Sequence, residues 1–211
     1  MTWLIGLGLL GAAYLLGSIP TGFLIAKAVK GIDIREHGSG STGATNVLRV
    51  VGREAGLAVL CVDLLKGATA VLLVRWLAQT DAIAGPTDRL PWLTMLVGLL
   101  VLVGHSRSIW LGFTGGKSAA TGLGVILALA WPVGLGAAVV FATVLVVSRM
   151  VSLSSILAAV SISLLMLLTH QPLAYLLLAI AGSLYVILRH RSNIERLLAG
   201  TEPKLGQTKP S

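Results

Sequence analysis

Three polar segments interrupt an otherwise apolar sequence, and each carries groups suited to holding a phosphate. The first runs Gly38-Ser39-Gly40-Ser41-Thr42-Gly43-Ala44-Thr45-Asn46-Val47-Leu48-Arg49, with three glycines, four hydroxyls and an amide ahead of an apolar run. Glycines let backbone N–H groups turn toward an anion, and a following helix start adds unpaired N–H groups and a positive dipole end. Gly38, Ser39, Gly40, Thr42, Gly43, Thr45 and Asn46 are therefore expected at a substrate, with Arg49 adding a bidentate charged contact. The Gly38-x-Gly40-x-x-Gly43 spacing matches the dinucleotide fingerprint only formally. That fingerprint needs a preceding strand, and here an apolar span precedes it. A flexible polar loop is the competing reading.

The second segment, Gly104-His105-Ser106-Arg107-Ser108-Ile109-Trp110-Leu111-Gly112-Phe113-Thr114-Gly115-Gly116-Lys117-Ser118, ends in Gly-Gly-Lys-Ser. A nucleotide-binding P-loop would need glycine at position 111, which is Leu, and a strand before it, so ATP hydrolysis is not expected. The physical logic survives without that motif: Gly115 and Gly116 free the backbone, Lys117 supplies a point charge, and a helix follows. His105 is a candidate base or donor near neutral pH, or else an interfacial histidine with a solvated partner.

The third segment runs from Arg189-His190-Arg191-Ser192-Asn193 through Arg196 to Gly200-Thr201-Glu202. On a helix, Asn193, Arg196 and Leu197 share a face, which suits a helix lying on the membrane surface with Asn193 turned inward. Basic anchoring to anionic lipid is the alternative for the arginines. A smaller turn, Ser148-Arg149-Met150-Val151-Ser152, offers Ser152 to an anion site or as a helix cap.

The elements that must position these segments follow from composition. The 211 residues are 55% hydrophobic and 11% charged, against about 45–50% and about 25% in soluble chains. Lipid is therefore the expected solvent. Candidate spans cover roughly 3–28, 53–78, 91–111, 117–131, 133–148, 152–169 and 172–189, each near the apolar length that a membrane demands. The expected fold is an all-α polytopic bundle of about seven spans, forming one domain over 1–206, with a disordered polar tail at 207–211. No basic region precedes Trp3, so the first apolar stretch reads as a retained helix rather than a cleaved signal.

Net charge is +8, but with 5% aromatics and no basic stripe, nucleic acid is not an expected partner. With the N-terminus outside, every Lys and Arg except Lys66, Arg75 and Arg89 falls on the inner side. That asymmetry puts the C-terminus and all three polar segments in the cytoplasm. Lys66 lies within a span, three residues after Asp63, and the two are expected to pair. Whether that pair is structural or functional stays open. The lone Cys61 excludes a disulfide within the chain.

Taken together, GSGSTGATNVLR, GHSRSIWLGFTGGK and HRSNIERLLAGTE resemble the three signature motifs of the bacterial acyl-phosphate:glycerol-3-phosphate acyltransferases, the PlsY family. The flanking GSIPTGFLIAK, DLLKG and SRMVSLSSI are similar to that family as well, so the resemblance spans nearly the whole chain. It implies a multi-pass enzyme of the bacterial inner membrane with its active site facing the cytoplasm. The implied reaction transfers a fatty acyl group from acyl phosphate to the 1-position of sn-glycerol 3-phosphate. Lysophosphatidic acid and inorganic phosphate would be the products, and the enzyme that makes acyl phosphate a partner.

The resemblance carries over Ser39, Arg49, Gly104, His105, Gly115, Gly116, Lys117, Ser152, His190, Asn193 and Glu202. Ser39, Arg49, His105, Lys117 and Asn193 are the expected catalytic group, and Gly115, Gly116, Ser152, His190 and Glu202 are expected to contact substrate. The family usually has Asn at Ser41, Pro at Ser108 and Gly at Ser118, so loop backbone is where differences are expected. No metal cluster, cofactor motif or covalent triad is apparent, and none is expected. Two competitors are a His190-x4-Glu195 dyad and a small anion or phosphate-ester transporter. The first lacks its soluble α/β domain, and the second lacks an internal repeat.

Overall fold

The computed structural model describes residues 2–80 and 89–207, and among them every regular element is helical. Ten α-helices follow in order: α1 (Thr2–Ser18), α2 (Thr21–Lys30), α3 (Ala44–Val50), α4 (Arg53–Leu77), α5 (Leu90–Ser106), α6 (Ala119–Leu129), α7 (Trp131–Ser148), α8 (Val151–Leu168), α9 (Leu173–Arg189) and α10 (Arg191–Leu198). Ser108 and Thr114 form an isolated antiparallel bridge in the α5–α6 loop. The all-α fold expected from hydropathy is present. All seven expected spans coincide with helices, though four are long and apolar enough to cross a membrane by themselves. These are Leu4–Lys30, α4, α7 and α8, and α9 with α10 makes a fifth if that pair, bent by 63°, counts as one. Helices α5 and α6 are apolar but shorter. Of the expected tail, Gln207 closes a turn with Lys204, and 208–211, with Lys209, lie outside the described residues.

Pro20 separates α1 from α2 because it lacks an N–H and its ring crowds the preceding turn. The break frees carbonyls that lipid cannot solvate. Ser108 Oγ donates to Ser18 O at 2.5 Å and Lys66 Nζ donates to Ile19 O at 3.0 Å. The expected Asp63–Lys66 pair is present at 2.9 Å, with both side chains almost fully buried.

Helix packing rests on small residues, as it must where lipid tails compete with apolar side chains. Helices α4 and α6 cross so closely that a Cβ on Gly124 would lie 1.9 Å from Leu64 O, and one on Gly67 2.1 Å from Thr121 O. That crossing decides where the loop ahead of α6 sits over α4. Replacing Gly124 with Ala should therefore force the two helices apart and destabilise the protein by about 1–3 kcal/mol. Gly11, with nothing within 4 Å of its would-be Cβ, serves as the control, and its change to Ala should gain up to about 1 kcal/mol. Thermal unfolding in detergent checks the pair. Equal midpoints for both variants would contradict this packing.

Large apolar side chains cover the outside, for example Val146 and Val147 at 80% and 82% exposure. In a soluble chain such a surface would be an aggregation hazard, and in a bilayer it is simply wetted by lipid.

Candidate active site

The first polar segment folds into a loop held by one amide. Asn46 Oδ1 accepts from Ser39 N at 2.9 Å, while Nδ2 donates to His37 O at 3.0 Å and Ser41 O at 2.9 Å. Gly38 is left-handed at φ +63°, and a Cβ there would lie 2.2 Å from Asn46 Oδ1, so the turn accepts only glycine. Gly38 and Asn46 thus build the loop, and the amide of Asn46 is already taken up by backbone. Within this segment Thr42 is buried and Arg49 exposed, with Arg49 Nη2 donating to Pro203 O at 3.3 Å.

The second segment descends from α5 to α6. Gly116 N donates to His105 O at 3.2 Å, and Arg189 Nη2 donates to Gly116 O at 3.3 Å. Ser118, where the resemblance expects Gly, adopts φ +63°. That conformation explains the glycine preference, and Ser118 Oγ offsets part of its cost by donating to Leu102 O at 2.7 Å. Lys117 lies in this loop, before the start of α6, and its Nζ donates to Asn193 Oδ1 at 2.5 Å.

The third segment turns at His190 between α9 and α10, which buries both His190 and Asn193. His190 Nδ1 lies 2.8 Å from Val186 O. A carbonyl partner requires the hydrogen on Nδ1, leaving a lone pair on Nε2. Glu202 is the hub that sequence reasoning underrated. Its Oε1 accepts from Ser152 Oγ at 2.6 Å and Asn193 Nδ2 at 2.8 Å, and its Oε2 from Arg196 Nε at 2.7 Å. Burial pushes the carboxyl pKa up, but these three donors outweigh burial and leave it below the ordinary value.

These segments meet at one cavity of ≈ 450 Å³. Ser39, Gly43, Thr45, Asn46, Arg49, His105, Lys117, Ser152, His190, Asn193 and Glu202 all line it. Gly40 and Gly115 line a second, polar opening of ≈ 410 Å³ that shares Ser39, Ser41 and Lys117 with the first. Gly38, Thr42 and Gly116 line neither. Away from its cationic end, the larger cavity continues between α4, α7, α8 and α9 past Leu60, Phe141, Leu145 and Ile162. One end thus suits phosphate and the other suits hydrocarbon.

Arg189, Arg191 and Arg196 also reach these openings, although none of them was among the expected site residues and lipid anchoring was the alternative for them. The shared helical face of Asn193 and Arg196 was the available clue. Glu195, by contrast, is exposed and pairs with Arg191 at 3.2 Å. It does not reach His190, and the His-x4-Glu dyad has no geometric support. Among the described residues no cluster of metal-ligating side chains occurs.

A protein-family model described as glycerol-3-phosphate acyltransferase matches residues 7–200. A glycerol-3-phosphate acyltransferase of Acaryochloris marina is 56% identical, with 98% of this chain and 96% of that protein covered. One of Trichormus variabilis is 58% identical, over 92% of this chain and 89% of that protein. Among solved structures, the integral membrane glycerol 3-phosphate acyltransferase PlsY in its glycerol 3-phosphate form superposes with a TM-score of 0.86. It is 39% identical, over 95% of this chain and 96% of the other. The lysophosphatidic acid form of the same enzyme gives a TM-score of 0.83 at 39% identity.

Proposed function

The chain belongs to the glycerol-3-phosphate acyltransferase family, and from that premise we propose that it acylates the 1-hydroxyl of sn-glycerol 3-phosphate with a fatty acyl phosphate as donor. One observation carries this reading: a single cavity joins a cationic, hydroxyl-rich end to an apolar corridor between helices. An acyl phosphate is itself such a molecule, a phosphate on a hydrocarbon chain. The relatives that bind glycerol 3-phosphate and lysophosphatidic acid supply acceptor and product.

An acyl phosphate is a mixed anhydride, so its leaving group needs little help, and the site must mainly orient substrates and stabilise charge. Arg49 and Lys117, with the loops at Ser39 and Gly115, hold the two phosphoryl groups. Ser152 and Glu202 orient Asn193, which in turn faces the acyl carbonyl or the attacking hydroxyl. The 1-hydroxyl oxygen bonds to the carbonyl carbon, the bond from that carbon to the bridging oxygen breaks, and inorganic phosphate leaves with the electron pair. The hydroxyl proton has three acceptors within reach of this chemistry: His105, His190 through its free Nε2, and the acceptor's own phosphate. The chain's orientation is N-terminus out and C-terminus in, in a bacterial inner membrane, which gives the site its soluble acceptor from the cytoplasm.

The deciding experiment supplies purified protein with glycerol 3-phosphate and, separately, acyl phosphate, acyl-CoA or acyl carrier protein. Phosphate release and lysophosphatidic acid formation are expected with acyl phosphate alone, each dependent on the acceptor. Transfer from a thioester with none from acyl phosphate would refute the donor. Movement of phosphate esters across liposomes without any acyl transfer would favour a transporter.

A pH dependence follows from Lys117. Burial, reinforced by Arg196, lowers its pKa to about 8, so the free enzyme carries the cation at neutral pH and loses it as pH rises past that value. We expect kcat/KM to decline above pH 8, while kcat holds to higher pH because bound phosphate favours the ammonium. Coincident alkaline limbs in both parameters would count against Lys117 as the phosphate cation.

A further inference from the structure

Asp63, Lys66 and His105 form a buried cluster of titratable groups, none more than 7% exposed, of which Asp63 and His105 line the cavity. Asp63 stands ten positions into α4, roughly 15 Å along its axis. Lys66 alone would neutralise Asp63, and Lys66 has a second task at the Ile19 carbonyl. The presence of His105 beside them calls for a separate reason.

That reason lies on the other side of the imidazole. Asp63 Oδ1, which already holds Lys66 Nζ at 2.9 Å, is 3.6 Å from His105 Nδ1, and that ring nitrogen has no hydrogen-bond partner among the described residues. The far edge of the ring abuts the glycine turn, where a Cβ on Gly116 would lie 2.1 Å from His105 Nε2. The same histidine touches the turn through its backbone: Gly116 N donates to His105 O, and a Cβ on Gly115 would lie 2.4 Å from that oxygen. The chain of contacts therefore runs from Lys66 through Asp63 and His105 to the turn that presents Lys117 to Asn193.

We infer that Asp63 is a positioning residue, whose carboxylate orients the His105 imidazole so that the ring backs Gly116 and fixes the Gly115–Lys117 turn. On this inference His105 acts on the loop, which leaves the substrate proton, of the three acceptors named above, to His190 or to the acceptor's own phosphate. This rests on Lys117 being the phosphate cation. A buried pair that merely neutralised itself would not need a histidine wedged between it and a glycine turn. An aromatic ring in contact with backbone at Gly116 is a stop that sets the reach of the next side chain.

A double-mutant cycle tests it, with Asp63→Asn, His105→Ala and both together, read as kcat/KM for acyl transfer beside the thermal unfolding midpoint. Each single variant should lose roughly 10- to 100-fold, the scale of a misplaced group about 1 Å out of register. The double variant should be no worse than His105→Ala, because Asp63 then has nothing left to orient. Additive losses, or wild-type kcat/KM in Asp63→Asn, would overturn the inference. Because Asp63→Asn leaves the Lys66 ammonium uncompensated, the cycle is repeated on a Lys66→Met background. If neither background yields folded protein, the cluster serves the fold and the inference fails. Wild-type protein that transfers no acyl group from acyl phosphate would instead refute the reaction proposed above, independently of the cycle.

Discussion

Lys117→Met should lower kcat/KM for acyl transfer by roughly 10²- to 10³-fold, the loss seen when one preorganised charge-stabilising donor is removed. The side chain reaches Asn193 from 76 residues away, so its ammonium is already placed and no reorganisation is needed when a phosphate arrives. Methionine keeps most of the apolar stem and deletes the charge alone. Burial already lowers the pKa of Lys117 and three arginines oppose its charge, so the stability of the empty protein should change little. The contrast between a collapsed kcat/KM and an unmoved unfolding midpoint is the informative result. Kinetics within threefold of wild type would remove Lys117 from the phosphate site.

Glu202→Ala should act in the opposite sense, on stability first and on activity as a consequence. Its carboxylate accepts from Ser152, Asn193 and Arg196, and its deletion leaves a charged donor and two neutral ones without their partner. Leaving the buried donors Ser152 and Asn193 without an acceptor costs about 1–3 kcal/mol each, whereas Arg196, 36% exposed, stays partly solvated. For a chain of this size the midpoint should fall by about 10 °C, and transfer activity should be lost with the orientation of Asn193. The pH dependence of stability carries the same signature. The folded carboxyl has a pKa below its unfolded value, so its contribution is complete above the ordinary carboxylate range and fades as pH falls through the folded pKa. Wild-type stability should therefore decline in acid more steeply than that of Glu202→Ala. Parallel acid profiles would show that the hub contributes nothing of the kind.

The short stretch between Glu202 and the tail is tied down separately from the hub. Beyond Glu202, Leu205 N donates to Arg149 O at 2.7 Å, and Arg149 Nη2 donates to Leu205 O at 2.8 Å. A polar, glycine-containing stretch thus lies against the cavity mouth, where Leu205 joins the lining. Composition alone argues for solvation of such a segment. Its contacts come from residues 50 or more positions earlier.

What was legible in the sequence is what depends on near neighbours. Apolar runs of span length require helices, because lipid leaves backbone groups no other partner. Asp63 and Lys66, three residues apart, must share a face, and their pair is where spacing puts it. The glycine- and hydroxyl-rich segments must fall between spans, whereas the break at Pro20, inside the expected span 3–28, came only with the structure. What only the tertiary structure decided is how polar groups from distant segments satisfy one another. Asn46 looked like a ligand donor and is consumed by its own loop. Glu202 looked like one more site residue and proves to tie Ser152, Asn193 and Arg196 together. His105 faces a carboxylate from another helix on one side and a glycine turn on the other. Each outcome depends on the angle and distance at which helices cross. Those are set by close contacts such as Gly67 and Gly124 against facing backbone, and no local periodicity encodes which helix will lie on the other side.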